Sequence, residues 1–123
     1  MAYGRGFIYD LIREDLEKMK GKRTPVKVSA FGRMGAKKVP PSMLHVNPDD
    51  EFCDPKIGPN ESIMSNYASV ARRNLSLGDP VYEEPIEVVK LRDGSYMMLN
   101  GHHRWAGAIM AGMKSVRIHI ENP

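Results

Sequence analysis

The run Asn100-Gly101-His102-His103-Arg104 sets two imidazoles and a guanidinium directly after a glycine, with the apolar residues Tyr96–Leu99 in front of it. Beyond Arg104 the apolar spacing becomes helical: Trp105, Ala108, Ile109 and Gly112 share a stripe, with Ala106, Met110 and Met113 beside it. A strand that breaks at a glycine and runs into a helix leaves the first N–H groups of that helix without intrahelical acceptors. Those donors and the helix dipole together hold anions. Asn100, Gly101, His102, His103 and Arg104 are therefore the candidate phosphate-binding residues, with Arg104 able to give two parallel charge-assisted hydrogen bonds.

Plainer readings compete with this one. Asn-Gly is also a favoured two-residue hairpin turn, but nothing strand-like follows it here. A helix start that merely faces solvent would set its cations against its own dipole, at about 0.3–1 kcal/mol each. An anion among them removes that conflict. Zinc is not expected: adjacent helical residues diverge by about 100°, and no Cys or His stands at ligand spacing from the pair.

Phosphoryl chemistry also needs a carboxylate to orient or deprotonate the nucleophile and a cation to neutralise the transferring group. The turn itself has no acid. The densest supply is Asp49, Asp50, Glu51 and Asp54, inside the Pro- and Gly-punctuated stretch Asn47–Asn60. Glu51 is the candidate base, His103 a second catalytic candidate, and Asp54 the candidate Mg²⁺ ligand. The bland alternative is that these acids solvate a loop and balance the basic N-terminus.

The chain has 123 residues and a net charge of +3, which conceals an asymmetry. Residues 1–46 carry ten Lys and Arg against four Asp and Glu; the remainder carries eight against eleven. Eight cations lie between Lys18 and Lys38 with no acid among them. That segment suits a polyanion, with Lys22, Arg23, Lys37 and Lys38 as candidate contacts. A solvated basic arm is the equal alternative. Phe31 is the one aromatic there, too little for a single-strand stacking platform. No apolar run is long enough to span a bilayer, and MAYGRGFIYD lacks a secretory pattern, so no membrane contact is expected. The lone Cys53 cannot form an internal disulfide and fits a reducing cytoplasm.

The elements that must position these groups follow from periodicity and turn chemistry. Residues 7–20 repeat Phe7, Ile8, Leu11, Ile12, Leu16 and Met19 at helical spacing. Lys27–Phe31 and Ser42–Val46 read as short strands. Glu61–Leu77 reads as a helix capped by Asn60 and ended by Gly78-Asp79-Pro80. Pro85–Arg92 and Ser95–Leu99 form an antiparallel hairpin around a two-residue Asp93-Gly94 turn. Residues 113–120 alternate, with Val116, Ile118 and Ile120 inward. Gly107 inside the last helix is expected to allow close packing on the sheet. The class is α+β, a small mixed sheet flanked by helices, with residues 1–37 as a basic N-terminal helix and arm and 38–123 as the domain.

The pattern Pro85-Ile86, Asp93-Gly94, Tyr96 to Arg104, Ala108 and Ala111-Gly112 resembles the ParB/sulfiredoxin-like family over roughly residues 38–120. In that family a strand ends in a G-x-x-R-type turn that opens a helix and binds nucleotide phosphates. The resemblance implies a nucleoside di- or triphosphate (ATP, ADP or CTP), with Mg²⁺ if there is turnover. Its members include CTP-hydrolysing partition proteins, ATP-using sulfiredoxins, free-serine kinases and nucleases, so fold transfers better than activity. Where sulfiredoxins hold their catalytic cysteine this sequence has His102, which argues against sulfinic acid reduction. Partition proteins read DNA with a helix-turn-helix region after this domain, and specific DNA readout is not expected from these residues. The leading expectation is nucleotide binding, with hydrolysis or phosphoryl transfer left open. The alternatives are a ParB-like nuclease or non-specific DNA-binding module, and a non-enzymatic regulatory protein, with a homodimer compatible with each.

Overall fold

The amphipathic pattern at the N-terminus forms α1 (Phe7–Met19), which buries Ile8, Tyr9, Ile12, Asp15 and Met19. The computed structural model describes residues 6–21, 24–77 and 84–123. Lys22 and Arg23, and the Gly78-Asp79-Pro80 helix stop, lie outside the described residues. After α1 come β1 (Pro25–Val26), β2 (Lys37–Val39) and β3 (Leu44–His45). Then follow α2 (Glu61–Leu77), β4 (Ile86–Leu91), β5 (Tyr96–Asn100), α3 (His102–Met110) and β6 (Val116–Glu121).

The strands run β2-β6-β4-β5-β3 across one mixed sheet. β4 pairs antiparallel with β5 and parallel with β6, β2 is antiparallel to β6, and β3 is parallel to β5. β1 pairs with Leu91 and Lys90, the end of β4 that β6 leaves free. Along β6, Val116, Ile118 and Ile120 point inward, as their alternation requires. Ile8, Tyr9 and Ile12 of α1 share a core with Ile86, Met98, Trp105 and Ile118, so packing continues across the sequence boundary near residue 37. No helix among the described residues is long and apolar enough to cross a membrane.

Several local expectations are corrected. The first strand lies at Pro25–Val26, not Lys27–Phe31, because Val28 N–H is donated to the Asn122 side chain and residues 29–33 form a turn. Pro41 starts a short 3₁₀ turn, which shrinks the next strand to Leu44–His45. The β4–β5 connection is not a two-residue type I′ turn. That turn needs positive φ at both central residues, and among the described residues none other than glycine has it. Gly94 N–H instead closes a turn on Leu91 O, Gly94 takes φ +90°, and the Asp93 carboxylate accepts from Ser95 N–H and Oγ–H.

Gly107 marks the crossing of α3 over α2 rather than over the sheet. A Cβ there would stand 2.5 Å from Tyr67 Cβ and 2.9 Å from Ala68 N. The close approach fixes where the start of α3 sits relative to α2. Asn60 caps α2 as expected, its side-chain oxygen accepting from Ile63 N–H at 3.0 Å.

Candidate phosphate site

β5 delivers Asn100 to the edge of a pocket of about 170 Å³, and Gly101 turns the chain into α3. Gly101 has φ +96°, ψ +20°, a left-handed conformation that side chains rarely adopt. A Cβ there would also press on Ile86 at 3.1–3.2 Å. Gly101 O accepts from Trp105 N–H, and no side chain caps the helix start. The N–H groups of His102, His103 and Arg104 are therefore left for an external acceptor, since the first turn offers none.

The pocket is lined by Asn100, Gly101, His102, His103 and Arg104, together with Asp50, Ile63 and Tyr67. All five turn residues singled out from the sequence thus meet in one place. Asp50 belongs to the acidic stretch offered as the carboxylate source, with Glu51 and Asp54 the residues expected to act; Ile63 and Tyr67 carry no signal in the sequence. Asp50 stands next to the residue chosen from the sequence, and Ile63 and Tyr67 lie a turn apart on α2. Their arrival at α3 depends on the Gly107 crossing, which has no local signal.

The histidines hold the loop rather than present charge. His102 Nε2 accepts Asn47 N–H at 3.0 Å, and His103 Nε2 accepts Asn60 N–H at 3.0 Å. Each neutral ring therefore carries its proton on Nδ1. Phe52 packs on both, with ring centroids 5.1 and 5.0 Å away. His102 is 3% exposed, and burial lowers its pKa to about 4 against the opposing pull of Asp50, whose Oδ2 lies 3.8 Å from Nδ1. Burial also lowers the pKa of His103, again opposed by Asp50. Both rings are neutral near pH 7. The expected conflict of three cations with the helix dipole thus reduces to Arg104 alone.

Arg104 is partly engaged. Its Nη1 donates to Glu84 O at 2.9 Å and stands 3.9 Å from the Glu84 carboxylate. Its side chain is 12% exposed and forms part of the pocket wall. The guanidinium therefore ties the approach to β4 to the start of α3, with Nη2 lying 3.3 Å from where a Gly101 Cβ would stand.

The acidic stretch contributes differently from expectation. Asp50 caps the short 3₁₀ turn Glu51–Cys53 through Phe52 N–H at 2.9 Å and reaches the pocket. Glu51 is exposed and is not in the pocket wall. Asp54 accepts from Lys56 N–H at 2.7 Å, and no cluster of three or more His, Cys, Asp or Glu able to hold a metal occurs among the described residues. Lys37 and Lys38 are exposed on β2, separated from β5 by β6 and β4. Cys53 is buried, and burial beside Asp50 and Asp15 pushes its thiol up to about 12, which removes it as a nucleophile.

This sheet, with a glycine-opened helix after its hairpin, is the ParB/sulfiredoxin-like fold. The chain is similar to the C-terminally truncated chromosome-partitioning protein ParB from Caulobacter crescentus complexed with CTP-gamma-S. Identity is 26% over 72% of this chain and 45% of that one, with a TM-score of 0.57. The same protein complexed to the centromeric parS site matches at 26% identity over 70% of this chain and 39% of that one, TM-score 0.51. Sulfiredoxin from Arabidopsis thaliana shares the fold at 16% identity over 72% of this chain and 86% of that one, TM-score 0.52. The chain spans less than half the length of the partition-protein structures it matches. No protein-family model and no curated protein matches it.

Proposed function

We propose that the chain binds a nucleoside di- or triphosphate, its phosphates held by the first-turn N–H groups of α3 with Arg104 beside them. The observation that carries this reading is the uncapped, glycine-opened helix start at a pocket. It gains support from the likeness to a partition protein seen complexed with CTP-gamma-S. The test is calorimetry with CTP, ATP, ADP and inorganic triphosphate, with and without Mg²⁺. Arg104→Ala should lose about 1.5–3 kcal/mol of binding, the worth of hydrogen bonds to a charged group. Equal affinity of variant and wild type for every one of these ligands refutes the reading.

Turnover is the second half of the proposal. Asp50 is the carboxylate closest to the reading, because it already lines the pocket. Glu51 as base and Asp54 as Mg²⁺ ligand both require movement of the 51–54 turn. His103 acts as a positioning residue, since its Nε2 is occupied by Asn60 N–H. The donor set suits Mg²⁺ only in company with nucleotide phosphates, where one or two carboxylates suffice. There the ion would neutralise charge on the transferring group. Product formation by Asp50→Asn and Glu51→Gln, measured beside nucleotide affinity, separates the two acids. Wild type that binds nucleotide without any product favours a regulatory role.

A polynucleotide is the second reading, on one specific observation. Lys37 and Lys38 stand exposed on the edge strand β2, within the acid-free basic segment. A related fold complexed to the parS site is compatible with it.

A further inference from the structure

A second and larger pocket, of about 300 Å³, lies between α1, β3 and the far side of α3. Leu11, Leu44, Trp105 and Ile109 make its apolar wall, and Lys18 and His45 stand in its polar part. The Trp105 indole N–H is donated to Pro41 O at 3.0 Å, so the ring has no polar demand left to place on an occupant.

The polar end is built rather than incidental. Asp15 is buried at 8% exposure, on a helix face that otherwise packs apolar side chains. Its Oδ2 accepts Val46 N–H at 2.7 Å, and its Oδ1 accepts His45 Nδ1–H at 2.6 Å. The carboxylate therefore fixes the imidazole in one orientation and one tautomer. Nε2 is left with no protein hydrogen bond among the described residues. The Asp15 hydrogen bond raises the pKa of His45 and Asp93 adds to the rise, while burial and Lys18 oppose it. Near neutral pH Nε2 thus has an enhanced tendency to carry a proton. Lys18 follows Glu14 by one helical turn, and both line the pocket. The Asp15 carboxylate is taken up by His45 Nδ1–H and Val46 N–H, so Nε2–H of the protonated ring and the Lys18 ammonium are the donors left to an occupant.

We propose that this pocket is a second ligand site, separate from the phosphate turn, for a small organic carboxylate with an apolar body. The body packs on Leu11, Leu44, Trp105 and Ile109, and the carboxylate accepts from His45 Nε2–H and Lys18. A phosphate is a poorer match: no α-helix start opens here, and most of the wall is hydrocarbon.

Trp105 is the sole tryptophan of the chain, so its emission reads this pocket directly. The experiment titrates the full chain with benzoate, phenylacetate and 4-methylpentanoate, and with the three corresponding amides. At least one carboxylate should give a saturable change, with its amide about tenfold weaker or worse. His45→Gln and Lys18→Ala should each weaken the response. Lys18 is exposed, so its variant keeps the test valid even if the His45 substitution unfolds the protein. Arg104→Ala should leave the response unchanged, which separates this site from the phosphate turn. The proposal is overturned by the absence of a saturable change with all three carboxylates, or by equal responses to acids and amides. A response that survives Lys18→Ala intact, or disappears in Arg104→Ala, overturns it as well.

Discussion

Acidification tests whether His102 is a neutral bracket for the 47–60 loop. Its folded pKa is about 4, against an ordinary value of 6.5, because burial disfavours the imidazolium. The unfolded chain therefore binds more protons than the folded one below about pH 6.5, and stability falls as pH falls. From these two values the loss is about 2 kcal/mol near pH 5 and about 3 kcal/mol near pH 4, where it levels off. Protonation also removes the Nε2 lone pair that accepts Asn47 N–H, so the loop that brings Asp50 to the pocket should loosen with it. The perturbation is His102→Gln, whose amide oxygen can accept the same N–H but does not titrate. Urea unfolding of both proteins, followed by Trp105 emission, is repeated from neutral pH down to about pH 4.5. The variant starts less stable because it packs less well against Phe52. The gap between the two proteins should shrink steadily as pH falls, by roughly 2–3 kcal/mol over the range. His103 and Asp50 are present in both, so their own titrations largely cancel. Two stability curves that stay parallel refute the reasoning, because then His102 is not held neutral by the fold.

Gly107→Ala should destabilise the protein by about 1–3 kcal/mol through overpacking, although alanine favours an exposed helix by about 1 kcal/mol; urea midpoints decide, and an unchanged midpoint means the α2–α3 crossing relaxes freely. The raised pKa of His45 makes the opposite pH prediction from His102. Its stabilising contribution is fully present below the ordinary value of 6.5 and is lost as pH rises through the raised folded value, so wild type should lose its advantage over Asp15→Asn as pH is raised above 6.5. A difference independent of pH would show that the pair is not charged in the folded state. Replacing Lys37 and Lys38 together by alanine should weaken duplex DNA binding and reduce the salt slope by up to about 2; identical slopes assign the β2 edge another task.

What was legible in the sequence is what local physics decides. The bounds of α2 follow from periodicity and the Asn60 cap, which act within a few residues. The turn at Gly101 is readable because a strand, a glycine forced to positive φ and a helix follow one another directly. The chemistry at that turn was less readable, because its partners come from far along the chain. Asn47 and Asn60 reach His102 and His103 across 55 and 43 residues and take their acceptor nitrogens. That converts two apparent phosphate donors into neutral brackets. The same applies to Asp50: which of four neighbouring acids faces the pocket depends on one residue of register. Asp50 caps the 3₁₀ turn from the position before it, and Glu51, the first residue of the turn, is left exposed to solvent. Asp15 and His45, 30 residues apart, each look like surface residues until α1 packs beside β3 and brings them together. The second pocket follows from that packing, which explains why its polar end carries no sequence motif.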